Sequence, residues 1–155
     1  MYQGVRGFGR VVILNSGFYV LGGIIELRQM GVYTGALIKK RRYLPKHVPG
    51  GLIDEYFKDK EVGSTDSLHG TFDEVKYDFF YMKEPDYVMK IMSTYGGLLV
   101  KEGQRDSKRV FNKDGEEKKV VFCYTEPFAN HFDYRHYIDD HNNLRHATPS
   151  LEETW

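Results

Sequence analysis

Apolar and polar positions change period along this chain, and each change marks an element. Arg10 to Leu14 is a short β-branched run of the buried-strand type, and Leu21, Ile24, Ile25 and Arg28 follow at helical spacing. Gly31 closes that helix, because glycine enters the left-handed region at a helix C-terminus without a Cβ clash. Val32 to Ile38 then reads as the next strand. A strand, a helix and a strand this close together predict a parallel crossover. The loop that begins at Asn15 then falls at the carboxyl edge of a sheet, where open α/β sheets place their ligands.

From Lys39 the pattern turns basic (KKRRYLPKHVPGG), and Leu52, Ile53, Tyr56 and Phe57 predict a short amphipathic helix ending near Lys60. Leu68 to Phe72, Lys76 to Met82 and Tyr87 to Met92 are aromatic and β-branched runs separated by turn residues. The NKDG at Asn112 to Gly115 divides two more, Arg109 to Phe111 and Lys119 to Tyr124. The polar stretch from Lys101 to Lys118 otherwise reads as a loop. Tyr134, Tyr137, Ile138 and His141 fall at i, i+3, i+4 and i+7, which predicts a helix packing that face on the sheet, with His136, Asp139, Asp140 and Asn143 on the opposite stripe. The division expected is a β-α-β part with a basic loop (1–60), a β-rich insertion (61–128) and a helical end (129–155). Ser150 and Glu153 form a capping box with only two residues after it, so the native fold is expected to continue past Trp155.

The length of 155 residues suits one domain, and 12 Tyr and 10 Phe supply enough β-favouring apolar mass to exclude general disorder. The run from Val11 to Ile25 is too short for a membrane span, is broken by Asn15 and Ser16, and stops at Glu26, so no membrane partner is expected. One cysteine, Cys123, excludes an internal disulfide framework and a cysteine-based zinc site. Basic and acidic residues balance at 22 each, so net charge argues for no partner and only local clusters can. The strongest is Lys39, Lys40, Arg41, Arg42 and Lys46, interleaved with Tyr43, a pattern suited to phosphate contact or to a solvated loop. His131, His136, His141 and His146 recur every five residues, which turns neighbours about 140° apart on a helix and argues against a shared metal. Asp139 and Asp140 suit a hard cation by type, although adjacent helix acids are commonly solvated.

RVVILNSGFYVLGGIIELRQMGVYTGALIKKRRYLPKHVPGG, MKEPDYVMKIMSTYGG, HYIDDHNNLRH and LEETW, in this order from about Gly9 to Trp155, resemble the catalytic domain of piggyBac-type transposases. The resemblance implies an RNase H-like (DDE transposase) α/β fold, here a partial core with a β-rich insertion. It implies three aspartates holding two Mg²⁺ ions for DNA cleavage and joining, because several anionic oxygens must neutralise two hard cations. The third family aspartate falls on Asp139. The second falls on Asn15, where this chain has the neutral amide, and residues 1–14 contain no Asp or Glu to serve as the first. No cysteine-rich end-recognition module can form with Cys123 alone. The resemblance thus leads to the expectation of a degenerate nuclear transposase fragment that binds no Mg²⁺ productively. Its partners would be DNA through Lys39, Lys40, Arg41, Arg42 and Lys46, and a second copy or second chain completing the core. A domesticated DNA-binding or protein-interaction module is the alternative. A metal-dependent nuclease assembled with another polypeptide is a third.

Overall fold

A computed structural model describes residues 9–16, 20–40, 43–97, 100–111 and 115–147, with side chains over the same residues except 100–111, 118, 120, 122, 123, 138, 139 and 141–147. The architecture is mixed α/β, with a five-stranded sheet, a two-stranded ribbon and three helices among these residues. Strand β1 (Val11–Leu14) leads through helix α1 (Leu21–Gln29) to strand β2 (Tyr33–Leu37), and the two strands pair in parallel with Leu14 opposite Ala36. The crossover expected from the sequence is therefore present. Its helix ends on Gly31 at φ +82°, with the Gly31 and Val32 N–H groups donating to the carbonyls of Arg28 and Leu27. That pair of bonds is a Schellman motif, which requires the left-handed residue that glycine supplies.

Helix α2 (Gly50–Tyr56) precedes a meander of three antiparallel strands, β3 (Thr65–Phe72), β4 (Val75–Lys83) and β5 (Val88–Ser93). Strand β5 returns beside β2, giving the order β1-β2-β5-β4-β3. The aromatic runs of the middle segment thus extend the sheet begun by the β-α-β unit.

Period-two alternation in β4 and β5 sorts the core into two layers. Tyr77, Phe79, Tyr81, Val88 and Met92 face one side, where Ile24 and Ile25 of α1 and Ile53 of α2 cover them with Phe57. Phe80, Met82, Met89 and Ile91 face the other, where Phe128 and Ala129 cover them. These last two belong to helix α3 (Glu126–Ala147), so the sheet lies between helices on both faces. No helix among the described residues is long and apolar enough to cross a membrane.

Two expectations are corrected. Within the polar stretch read as a loop, residues 101–111 belong to a strand, β6 (Val100–Phe111), of which Arg109 to Phe111 was expected, and it pairs antiparallel with β7 (Glu117–Thr125) across the predicted turn. Cross-strand backbone bonding sustains this ribbon, and a strand whose sequence shows no apolar alternation carries no period-two signal. In α3 the face expected to pack is exposed at Tyr134 and Tyr137, at 52% and 62%, while the side chains of Ile138 and His141 lie outside the described set. The helix instead buries Phe128, Ala129 and His131, close to its N-terminus, because β7 delivers the chain directly onto the sheet there.

Candidate functional site

Parallel pairing puts the carboxyl ends of β1 and β2 side by side, and the antiparallel β5 begins at that same edge. Asn15 follows β1, Lys39 follows β2, and Tyr87 and Met89 stand at the start of β5. Helix α3 adds His131 and Arg135, which are four residues apart and so neighbours on one face. These residues, with Leu37, line a cleft of about 340 Å³.

The polar groups of the cleft are donors or cations in the main. The side-chain oxygen of Asn15 accepts the Ser16 N–H at 2.7 Å, so the part of the amide best placed to serve a ligand is its NH₂. The Arg135 guanidinium lies 5.0 Å over the Phe132 ring, which holds its stem along α3. Burial, and then the carboxylate of Glu84, raise the Tyr87 pKa above its ordinary 10, with Arg135 pulling it down. Tyr87 is therefore a neutral O–H donor at physiological pH.

The sequence-derived residues distribute unevenly around this cleft. Asn15 and Lys39 line it, whereas Lys40 and Lys46 are exposed and are not among its described lining residues. Arg41 and Arg42 lie outside the described residues. Asp139 stands one turn beyond Arg135 in α3, and its side chain lies outside the described set. Sequence reasoning missed Tyr87, His131 and Arg135 as a group. The available signal was the Phe128–Phe132 pair at i, i+4, a row on which position 135 also falls.

On the other flank of α3, Asn130, Tyr134 and Tyr137 meet Val11 and Ile13 of β1 around a second hollow of about 460 Å³. Tyr95 ties the layers together there. Its hydroxyl accepts the Asn130 amide at 3.3 Å, and its ring lies so near Gly35 that a Cβ on that glycine would meet the hydroxyl oxygen at 3.0 Å.

Residues 1–155 match the sequence profile of the family described as Transposase IS4, a DDE transposase family. The chain belongs to this family. Comparison with curated proteins and with solved structures found no match. DDE transposases act on DNA and generally use divalent metal ions. The described residues of the cleft do not fit a pair of such ions, since an amide, an imidazole and two cationic side chains supply none of the anionic oxygens that hard cations require. No group of three or more His, Cys, Asp or Glu side chains suited to a metal occurs among the described residues.

Proposed function

We propose that this transposase-family chain is of the piggyBac type, with an RNase H-like core, and that it contacts DNA in the nucleus without cutting or joining it. Asn15 carries the reading. It sits at the carboxyl end of β1, next to the sheet edge that receives α3, at the position where the piggyBac pattern has its second aspartate. An amide there removes one negative charge from any two-metal arrangement. Both the binding of the ions and their stabilisation of the transition state weaken accordingly. Lys39 and Arg135 beside it add repulsion toward divalent cations.

Asp139, one helical turn past Arg135, is the position assigned to the third aspartate, the ancestral metal ligand. Lys39, Lys40, Arg41, Arg42 and Lys46 carry the DNA contact, with affinity drawn from phosphates and hence tolerant of sequence. The experiment is incubation of the purified chain with supercoiled plasmid and Mg²⁺ or Mn²⁺. No nicking is expected, and Asn15→Asp alone restores none. Metal-dependent cleavage that disappears in Asp139→Ala would overturn the reading, since that variant separates the chain's own activity from a contaminating nuclease.

A further inference from the structure

The geometry points to the cleft between the β1 and β2 carboxyl ends and α3 as a phosphate-binding site that works without metal. Four donors from separate elements meet there: the Asn15 amide after β1, Lys39 after β2, the Tyr87 hydroxyl at the start of β5, and Arg135 from α3. None of the described lining residues is acidic. A phosphate monoanion or phosphodiester offers several acceptor oxygens, and a guanidinium fork with an ammonium beside it matches that arrangement better than any neutral ligand. Glu84 is buried beside Tyr87 and its carboxylate acts on that donor, although Glu84 is not among the described lining residues.

A two-metal centre and a phosphate site demand opposite fields at one sheet edge, and the described residues supply the positive one. The same place in the fold that would hold cations between carboxylates is here lined for the anion itself. That the bound phosphate belongs to a DNA backbone rests on the proposed function. That an anion binds rests on the cleft alone.

The two are separated by titrating the full chain, in EDTA, with inorganic phosphate and then with a short DNA duplex, following the ¹⁵N signals of Asn15 and Arg135. Phosphate should move both signals, and Arg135→Ala should weaken its binding by about tenfold, the loss expected for one charge-assisted contact. Arg135→Lys should keep part of the affinity. Mg²⁺ alone should leave the signals in place. Phosphate binding without duplex binding would support the cleft site while removing the DNA reading. Duplex binding with no phosphate response, or phosphate affinity unchanged in an Arg135→Ala protein of native near-UV circular dichroism, would overturn the cleft site and leave the DNA reading standing. A response of the same signals to Mg²⁺ in place of phosphate would also overturn it.

Discussion

Lys90 shows how one residue departs from the pattern around it. It occupies a β5 position between Val88 and Met92 on the face covered by α1 and α2, yet it is buried, and its ammonium meets the Asp54 carboxylate at 2.7 Å. Asp54 is 24% exposed and so keeps some access to water. Breaking the pair from its two ends should therefore have unequal effects. Asp54→Ala leaves the buried ammonium the Val88 carbonyl but no counter-charge and should cost about 3 kcal/mol, while Lys90→Met fills the same apolar space and should stay within about 1 kcal/mol of the parent. Urea midpoints of the two variants measure the difference, and equal losses would mean that Asp54 does not compensate Lys90. Tyr95 supplies a pH dependence. Burial raises its pKa above 10, against the lowering effect of the Asn130 hydrogen bond and with smaller raising effects from Glu126 and Tyr134. A folded-state value above the unfolded one means that this contribution is intact below pH 10 and is lost as pH rises through the folded value. Tyr95→Phe should flatten the alkaline decline in stability measured by denaturant unfolding from pH 9 upward.

Among the elements, the sheet strands were legible because each satisfies its own period. Tyr77 to Met82 is apolar at nearly every position since both faces of β4 are covered, which is how a fully buried strand reads. Only the end of β6, Arg109 to Phe111, was legible, because the polar run before it shows no alternation, and α3 was located while its buried anchor was not. Its tyrosines suggested the packed stripe, although Tyr134 and Tyr137 are more than half exposed, and among the described residues the nearest ring to Tyr137 is that of His136 in the same helix, with centroids 4.0 Å apart. The anchor is Phe128, fully buried against Phe80, Met82, Met89 and Ile91. Phe128→Ala should cost about 3–5 kcal/mol and loosen α3 from the sheet, whereas Tyr134→Ala should cost less than about 1 kcal/mol. Equilibrium unfolding of both variants decides which face carries the helix. The candidate cleft depends on the same anchor, because Phe128 fixes the phase that brings His131 and Arg135 to Asn15. Local spacing placed Asn15 at the sheet edge and Lys39 at the start of the basic loop after the next strand. The arrival of Tyr87 and Arg135 is tertiary, set by how β5 returns and α3 docks.

At the scale of the whole molecule, 22 basic and 22 acidic residues leave no net field to draw DNA in from a distance. Attraction must then come from uneven placement of charge. The carboxyl edge carries Lys39 after β2 and Arg135 across the cleft, and Lys40, Arg41, Arg42 and Lys46 follow Lys39 in sequence. Each phosphate met by such a patch releases condensed counterions, so the log of the binding constant should fall with the log of salt by roughly 0.9 per phosphate. A patch of this size gives a slope of only a few units, weak binding and little preference for sequence. Replacing Lys39, Lys40, Arg41 and Arg42 together with Ala should abolish duplex binding in fluorescence anisotropy at low salt, because no global charge remains to substitute for them. Arg135→Ala should lower the slope by about one without abolishing binding, since it removes one contact from the set. Binding that ignores salt, or that survives the fourfold replacement with its slope unchanged, would place the DNA contact on another surface and detach it from the cleft at the ends of β1 and β2.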